Sequence, residues 1–427
     1  MVDAALQALL DAPSAWQGSV PGGRGAGPLP AHSDMVVVGG GIGGLSAALH
    51  ALRRGCSVTV LEAGELGAGA SGRNSGFVVP VPARHGPDTL NALLGDAAGP
   101  YARALQQAAR QALSRGGPQV VRQGWLQPFA QPPLGSLRHL ARQWQALGID
   151  AECVEGQRLG ALAGTRYYPE ALLFKGGGGV DPLALLHQLA DAVMALGGCI
   201  VEQCSALNTT VRGQGVTVHT PQGDIRAGRV LLAANAYGTG ASQATRRPIG
   251  RIALGLGTFT CEDLPPETAC LPFSDARKDM WFCRRLTGNR LITGAFILPG
   301  AGGAAAAAGL MSERLQALFG PGPWTPGQLW AGYVGVTRTG MPVVRQHGPR
   351  IIRWSGCNGR GIALSSLMAQ RLVDHLMGEP MPTLPQATFN SALLVRWLAH
   401  SVIQRDRRRQ KKAAMAQPSS FSREIIS

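Results

Sequence analysis

The segment MVVVGGGIGGLSAALHALRRGCSVTVLE, residues 35–62, decides the fold of this 427-residue chain. Its apolar start, residues 35–38, is typical of a buried parallel strand. The small and apolar residues of 45–54 predict a helix that ends at Gly55, and residues 57–61 predict a second strand. The order strand, glycine-rich turn, helix and strand predicts a βαβ unit.

The turn of this unit has the spacing of a dinucleotide-binding loop. Gly39 permits the tight turn, Gly41 lets the backbone approach a pyrophosphate, and Gly44 lets the helix pack closely on the strand. The first N–H groups of the helix and the positive end of its dipole favour the phosphates. Glu62, at the end of the second strand, can accept hydrogen bonds from ribose hydroxyls, and its charge favours a ribose diol over a 2′-phosphate. The segment therefore predicts a dinucleotide site rather than a glycine-rich turn that fits by chance.

The composition favours a close-packed α/β protein with two domains. The chain has 59 glycines, and aromatic residues make up only 5 % of it. It has no apolar run of about 18 residues and no basic and apolar leader, so we expect neither a transmembrane segment nor a signal peptide. The eight cysteines show neither CxxC nor metal-ligand spacing, which predicts free thiols, no metal site and a cytoplasmic location.

The net charge of +15 raises the question of an anionic partner. A third of this charge lies in RDRRRQKK, residues 405–412, where six cations and one acid give +5. We expect a solvated and disordered tail there, with contact to an anionic surface or partner as the alternative. The sequence shows no recognition helix, aromatic RNA-binding motif or zinc finger, so no specific nucleic-acid partner is expected.

Later segments of the chain predict further strands and helices of the same domain as the βαβ unit. Asp181 and Pro182 predict the start of a helix, and a strand follows at 200–203. Residues 229–235 predict another buried strand, and a further strand at 351–355 leads into a glycine-rich turn and a last helix. The dinucleotide domain is therefore predicted to be discontinuous, with several separate segments of the chain contributing to it.

We predict that a second domain of α+β type, built on an antiparallel sheet, is inserted between the pieces of the dinucleotide domain. Residues 249–300 are rich in strand patterns, whereas AGGAAAAAG at 301–309 predicts a flexible loop. The predicted divisions are an extended N-terminal arm (1–33), the dinucleotide domain (34–90, 176–240 and 330–400), the second domain (91–175 and 241–329) and the basic tail (401–427).

Six motifs stand in a fixed order along most of the chain. They are VVVGGGIGGLSAALHALRRG (36–55), GAGASGRNSGFV (67–78), VDPLALLHQLADAVMALG (180–197), VLLAANAYG (230–238), GVTRTGMPVV (335–344) and GCNGRGIALS (356–365). In this order the chain resembles the FAD-dependent amine and amino-acid oxidoreductases related to D-amino-acid oxidase, glycine oxidase and sarcosine oxidase. Within that family it most resembles the γ-glutamylputrescine-oxidase-like branch.

The resemblance implies an extended FAD, noncovalently bound, with its flavin ring at the boundary between the domains. Covalent attachment of the flavin through Cys357 is the alternative to noncovalent binding. For Arg73, the alternative to a cofactor contact is an ion pair that holds its own loop in place. The implied FAD-binding residues are Gly39, Gly41, Ile42, Gly43, Gly44, Glu62 and Ala63 at the first loop, Ala70, Ser71, Gly72, Arg73, Asn74 and Gly76 at a second loop, Ala233 and Asn235 after a later strand, and Gly359, Arg360, Gly361 and Ile362 beside the pyrimidine end of the flavin.

The resemblance also implies the chemistry. A hydride passes from the substrate carbon of an amine or amino acid to flavin N5, the imine product hydrolyses, and O2 reoxidises the cofactor. Electron transfer to a quinone or carrier protein, or an FAD-binding protein without activity, are the alternatives. This chemistry requires no side-chain base, so the sequence identifies no certain catalytic residue. The sequence also gives no indication of the oligomeric state.

Three residues are candidates for a role near the reacting atoms. Arg360 precedes the last helix and would stabilise the negative charge on the reduced flavin. Arg285 matches the family's carboxylate-binding arginine, with an exposed arginine on a sheet as the alternative. His85 follows the second FAD loop and would face the ring, with an ordinary loop histidine as the alternative.

Overall fold

The computed structural model of the chain describes residues 4–18, 27–117, 119–131, 135–238, 249–262, 270–300, 302–381, 383–384 and 391–416. The strands in this part are β1 (His32–Val38), β2 (Val58–Leu61), β3 (Phe77–Val78), β4 (Trp125–Phe129), β5 (Ala151–Glu155), β6 (Glu170–Phe174), β7 (Gly178–Gly179), β8 (Cys199–Val201), β9 (Asn208–Arg212), β10 (Gly215–Thr220), β11 (Gly223–Leu232), β12 (Gly250–Thr260), β13 (Phe273–Ser274), β14 (Phe282–Arg285), β15 (Arg290–Ile297), β16 (Thr325–Val336), β17 (Val343–His347) and β18 (Ile351–Ser355). The helices are α1 (Ala4–Asp11), α2 (Ile42–Arg53), α3 (Ala70–Arg73), α4 (Pro87–Leu94), α5 (Ala98–Ser114), α6 (Leu137–Ala146), α7 (Gly156–Ala163), α8 (Pro182–Ala195), α9 (Gly303–Phe319), α10 (Gly361–Leu376) and α11 (Ala392–Ala416).

The first sheet has the strand order β17-β18-β11-β1-β2-β8, and β10 and β9 extend it from β11. The strands from β18 to β8 are parallel to one another. Val37 and Val60 lie opposite each other in the register and belong to the core beneath α2 and α10. Val36 and Val230 are paired as well, and they pack with the β10 side chains on the other face. Both faces of these strands are thus buried, which explains their continuous apolar runs.

The second sheet has the order β16-β12-β15-β14-β13-β4-β6-β5 and is antiparallel except where β13 runs parallel to β4. Its strands come from residues 125–174 and 250–336, between the pieces of the first sheet. The predicted discontinuous α/β domain with an inserted α+β domain is therefore confirmed. The predicted domain boundaries stay a prediction, and the whole of β16 belongs to the second sheet.

Two helices of the first domain begin at the same edge of its sheet. α2 starts directly after the glycine loop that follows β1, and α10 starts after the loop that follows β18. The two helices pack against each other, and His50 of α2 lies 2.8 Å (Nε2 to Oδ1) from Asp374 of α10. Both helix N-termini are therefore held at the carboxyl edge of the parallel strands, where ligands of such sheets bind.

The extended N-terminal arm is a wrong prediction for residues 4–18. Here α1 forms, and Trp16 is buried, with its Nε1 donating to the Asn74 carbonyl at 2.8 Å. Ser14 Oγ donates to the Gly72 carbonyl at 2.7 Å. Apolar side chains and these hydrogen bonds attach the segment to the second glycine-rich loop. Residues 19–26 of the predicted arm lie outside the described residues.

The disordered basic tail is a wrong prediction for residues 401–416, since they belong to α11. Arg407 reaches the buried carboxylate of Asp279, with 2.8 Å between Nε and Oδ2, and this ion pair holds the helix on the second domain. Residues 417–427 lie outside the described residues. The predicted loop at 301–309 is wrong for residues 303–309, because α9 begins at Gly303, and residue 301 lies outside the described residues.

The cysteines and the described helices bear on two further predictions. All eight cysteines are free thiols, as their spacing predicted. Among the described helices, none combines the length and the apolarity that crossing a bilayer requires.

Candidate active site

A cavity of about 610 Å³ extends between the two sheets. On one side it is bounded by the loops at the carboxyl ends of β1, β2, β11 and β18. On the other side lie side chains of β12, β15 and β16. Every residue that the sequence assigned to the cofactor lines this cavity, except Gly44, Gly72 and Gly76. The structure therefore brings the four distant motifs together at one place.

The first glycine loop is shaped for backbone contact with a ligand. Gly39 has a φ of 109°, a conformation that favours glycine. A Cβ atom at Gly41 would lie 2.8 Å from Ser71 Oγ, so the loop leaves no room for a side chain. Ser71 Oγ accepts a hydrogen bond from the Ile42 N–H at 2.9 Å, which ties the second loop to the N-terminus of α2.

Glu62 directly follows β2, and backbone N–H groups fix its half-buried carboxyl group. Its Oε2 accepts from the Gly40 N–H at 2.7 Å, and its Oε1 accepts from the Gly64 N–H at 3.0 Å. Burial raises the pKa of Glu62, although these backbone donors act in the opposite direction. The group stands beside the glycine loop, where a dinucleotide carries its ribose.

The three glycines that do not line the cavity allow close backbone packing behind it. A Cβ atom at Gly44 would lie 1.8 Å from the Gly39 carbonyl oxygen. At Gly72 it would lie 2.3 Å from the Gly67 carbonyl oxygen, and at Gly76 2.2 Å from that of Val180. Close packing of the loops thus requires glycine at these three positions, and their assignment to the cofactor stays a prediction.

Arg73 lines the cavity, but its guanidinium is bound to backbone carbonyls. Nε donates to Ala331 at 2.7 Å, and Nη2 donates to Leu9 at 3.1 Å and to Ala12 at 2.7 Å. These contacts tie the second loop to β16 and to α1. They favour the loop-tying role that the sequence left as the alternative.

The loop after β18 brings Arg360 to the cavity. Asn235, after β11, accepts from the Gly356 N–H at 2.9 Å and donates to Cys357 Sγ at 3.2 Å, so it joins the two strand ends. Arg360 lies over the ring of Trp125, 4.7 Å from its centroid. Among the described residues no side-chain hydrogen bond of Arg360 is formed, and burial lowers its pKa to about 10. A cation at the N-terminus of α10 therefore faces the cavity.

The second sheet gives the cavity an apolar wall. Ile252, Leu254 and Leu256 alternate along β12 and line the cavity from one face of the sheet. Phe282 and Phe296 continue this surface. The wall suits a planar aromatic ring and an apolar part of a ligand.

The residues present fit FAD at this place. The glycine loop and the N-terminus of α2 would hold the pyrophosphate, and Glu62 would hold the ribose. The apolar wall and Arg360 stand at the other side of the same cavity.

Comparison with known proteins decides the family. Residues 34–375 match the family described as FAD dependent oxidoreductase. The chain belongs to this family of FAD-dependent oxidoreductases. As a member of this family it is an oxidoreductase with FAD as its cofactor.

The relatives of this FAD-dependent oxidoreductase include both amine and amino-acid enzymes. It is 27 % identical to γ-glutamylputrescine oxidoreductase of Escherichia coli (strain K12), over 81 % of this chain and 84 % of that protein. It is 25 % identical to glycine oxidase of Geobacillus kaustophilus (strain HTA426), over 80 % and 92 % of the two chains. The predicted family is therefore confirmed.

Solved structures show the same fold. Glycine oxidase from Geobacillus kaustophilus superposes with a TM-score of 0.66 at 20 % identity, over 84 % of this chain and 98 % of that one. L-proline dehydrogenase from P. horikoshii gives a TM-score of 0.69 at 16 % identity, over 88 % and 99 % of the chains. Oxidases and dehydrogenases thus share the architecture, which does not distinguish between them.

Two of the three residues predicted to act near the reacting atoms, Arg285 and His85, do not line the cavity of this oxidoreductase. Arg285 donates to Asn289 Oδ1 at 2.6 Å on the far side of β14. Its neighbour Arg284 is fully buried, and its Nη1 donates to the carbonyls of Gly76 at 3.1 Å and Val180 at 2.8 Å. The two neighbouring arginines thus bind different partners, and neither of them lines the cavity.

His85 does not line the cavity either. Its Nε2 lies 2.6 Å from the Thr339 carbonyl oxygen. Its pKa is lowered, chiefly by burial. The histidine joins the loop after β3 to the loop before β17, which favours a role in the scaffold.

The sequence did not predict a set of charged residues that line the cavity, most of them on the loop after β13. Asp275, Arg277 and Lys278 line the cavity there, and Arg84 lines it from the loop after β3. The Asp275 side chain is fully buried and lies 3.4 Å (Oδ2 to Nε) from Arg277. Burial raises the pKa of Asp275 to about 6. A charged loop gives no periodic signal, so nothing local in the sequence pointed to these residues.

Proposed function

We propose that this oxidoreductase oxidises the C–N bond of an amine or amino acid that carries an anionic group, with O2 as the electron acceptor. FAD bound in this cavity would supply the acceptor for a hydride from the substrate carbon, and water would hydrolyse the imine product. The chain supports this by orienting the substrate against the apolar wall of β12 and by keeping water away from it.

The charges of the cavity carry the proposal for the substrate. Arg84, Arg277, Lys278 and Arg360 all line it, and Asp275 is the acid among the residues on the β12 side. Such a surplus of cations favours a carboxylate over a second ammonium group, since a guanidinium binds a carboxylate with two parallel hydrogen bonds. An amino acid or an acylated amine with a free carboxylate fits better than a simple diamine.

The surroundings of Cys357 support noncovalent FAD. Covalent attachment through a cysteine needs its thiolate. Burial raises the pKa of Cys357, so the thiol form is favoured at neutral pH. The thiol packs between Asn235 and the start of α10, where it accepts the hydrogen bond from Asn235.

The first test is anaerobic mixing of the purified holoenzyme with a panel of primary amines, secondary amines and amino acids. We expect members with a free carboxylate to bleach the flavin absorption near 450 nm, and their decarboxylated counterparts to react at least tenfold more slowly. A panel in which nothing reduces the bound cofactor would contradict the proposed function. Equal rates of flavin reduction by a carboxylate substrate and by its decarboxylated counterpart would contradict the proposal that the substrate carries an anionic group.

A second measurement separates the two electron acceptors. With the best substrate under air, we expect hydrogen peroxide in equal amounts to the product. Reduction of a quinone or dye with little peroxide would instead identify a dehydrogenase.

Replacing Arg360 by leucine is expected to lower the midpoint potential of the bound FAD. Without the cation, the negative charge of the reduced cofactor loses a charge-assisted hydrogen bond of about 1.5–3 kcal/mol, equivalent to about 30–60 mV. Potentiometry with a reference dye measures the shift. Arg345→Gln, on the exposed side of β17, is the matched control, and an equal potential in both variants would remove Arg360 from this role.

The affinity of the cavity for anions is expected to fall as the pH rises from about 5 to about 7. Because the pKa of Asp275 is raised to about 6, this group is neutral below that pH and negative above it. The negative charge of Asp275 then weakens the binding of an anion by Arg277 and Lys278, at a cost in binding free energy on the order of 1 kcal/mol or more. The dissociation constant of a carboxylate without an amine, followed by flavin absorbance, should rise several-fold in the native chain and stay constant in Asp275→Asn. A pH dependence that is the same in both proteins would exclude Asp275 as its origin.

A further inference from the structure

Helix α11 has one side fixed on the protein and the opposite side turned outwards. On the inner side, Val395 and Ile403 are buried against β12. Further along the helix, Arg407 binds Asp279, and Gln410 Oε1 accepts from Trp281 Nε1 at 2.9 Å. These contacts define the orientation of the helix over its length, from the apolar start to the basic end.

The first two turns of the outward side are apolar and exposed. Leu393 is 73 % exposed, Trp397 is 62 % exposed and Leu394 is 46 % exposed. Large apolar side chains gain free energy when they leave water, and a contiguous exposed group of them on a monomer marks a site of interaction. Among the described residues, nothing covers them.

The last turns of the same side are basic. The exposed cations there are Arg405, Arg408, Arg409, Lys411 and Lys412. Among the described residues none of them forms an ion pair, and Asp406, the acid of this helix, points inwards and accepts from the Asp279 N–H at 2.8 Å. The charge of this surface is therefore uncompensated.

The apolar and basic residues lie along one stripe. At about 100° per residue, Leu393, Trp397, Arg405 and Arg408 fall within roughly one third of the helix circumference. Trp397 and Arg408 are about 16 Å apart along the axis at 1.5 Å per residue. We call this stripe the outer face of α11: Leu393, Leu394, Trp397, Arg405, Arg408, Arg409, Lys411 and Lys412.

We propose that the outer face of α11 docks the protein onto the surface of a bilayer that contains anionic phospholipids. Tryptophan and leucine enter the boundary between headgroups and acyl chains, while arginine and lysine bind the phosphates. The helix lies on the surface rather than across the membrane, because its basic half cannot enter the hydrocarbon.

The composition of the outer face favours this partner over two others. A second copy of the chain would bring two basic surfaces together, which like charges oppose. A nucleic acid would neutralise the cations but would leave Leu393, Leu394 and Trp397 in water. A bilayer with anionic headgroups satisfies both the charge and the exposed apolar surface.

Flotation of the full-length holoenzyme with vesicles tests the proposal. We expect binding to vesicles of phosphatidylcholine with phosphatidylglycerol, and little binding to phosphatidylcholine alone. The triple replacement Arg405→Gln, Arg408→Gln and Arg409→Gln should lower the partition coefficient on the order of 100-fold, since each cation near the surface adds about fivefold. Trp397→Ser with Leu393→Ser should also lower it, and the Trp397 fluorescence should shift to the blue on binding.

Matched controls replace residues of equal chemistry elsewhere on the surface. Arg212, Arg226 and Arg345 are exposed arginines of the first sheet, and Leu207 is 49 % exposed. Replacing these arginines by glutamine, or Leu207 by serine, should leave the partition coefficient unchanged. The flavin absorbance of each purified variant shows whether it is folded.

Three outcomes would overturn the proposal. The first is an absence of binding to anionic vesicles, and the second is an equal loss of binding in the outer-face and control variants. The third is a different occupant: association of the chain with itself that depends on Trp397, or binding of a single-stranded oligonucleotide that depends on the three arginines, each without vesicle binding.

Discussion

Replacing Asp279 by alanine is expected to lower the free energy of unfolding by about 3–5 kcal/mol, because it leaves two cations unpaired in the second domain. The Asp279 carboxylate is fully buried. Its Oδ2 accepts from Arg314 Nη2 at 2.5 Å and from Arg407 Nε at 2.8 Å, and its Oδ1 accepts from Arg407 Nη2 at 3.1 Å. Denaturant unfolding followed by circular dichroism measures the loss.

The effect extends to the cavity. Asp279 belongs to the loop after β13, whose members Arg277, Lys278 and Met280 line the cavity. Since α11 holds this loop through Arg407, the variant should also weaken binding of anionic ligands. This loop of the cavity is therefore attached to a helix that begins more than 100 residues later.

Asp224→Ala is the matched control for this prediction. Asp224 is exposed and lies 2.8 Å (Oδ1 to Nδ1) from His219, and surface pairs contribute about 1 kcal/mol or less. Adding Arg314→Met to Asp279→Leu should recover part of the stability, because it removes a buried charge along with its partner. Equal losses in Asp279→Ala and Asp224→Ala would refute the importance of the buried pair.

Replacing Gly44 by alanine is expected to yield protein with almost no FAD. The new Cβ atom would lie 1.8 Å from the Gly39 carbonyl oxygen, and a backbone atom of the loop cannot move aside as a side chain can. Helix α2 must shift away from β1, and its N-terminal N–H groups then leave the place of the pyrophosphate. The ratio of absorbance at 450 nm to that at 280 nm in the purified protein measures the loss.

Gly309→Ala is the control, because a Cβ atom there meets nothing within 4 Å and the residue lies within α9. This control should keep its FAD and be slightly more stable, as alanine favours helix over glycine. Full FAD content in Gly44→Ala would show that close packing of α2 on β1 is not required for cofactor binding.

The first domain was predictable because its signals are local. Residues 35–62 carry strand, turn, helix and strand in one uninterrupted segment, and Glu62 follows at the expected distance. The later motifs specify loops at strand ends, and parallel strands place such loops at one edge. Most of the residues that line the cavity on this side could therefore be predicted before their neighbours in space were known.

The errors concern contacts between distant residues. The basic segment that includes Arg407 looks solvated until Asp279, from another part of the chain, is placed beside it. Arg285 matched a family motif, but only the tertiary structure shows that it binds Asn289 and that its neighbour Arg284 binds the carbonyls of Gly76 and Val180. The prediction of a loop at 301–309 gave glycine too much weight and the helix propensity of five consecutive alanines too little.

The strand order of the first sheet also governs when a growing chain can acquire its cofactor. During synthesis β1 and β2 emerge early, but β11, which pairs with β1, emerges only after the first part of the second sheet. β18, which pairs with β11, follows the remainder of that sheet. Strand pairings between such distant segments form slowly. The first sheet can therefore be completed only after β18 has left the ribosome, so the nascent protein must keep two unfinished sheets from aggregating until synthesis has passed residue 355.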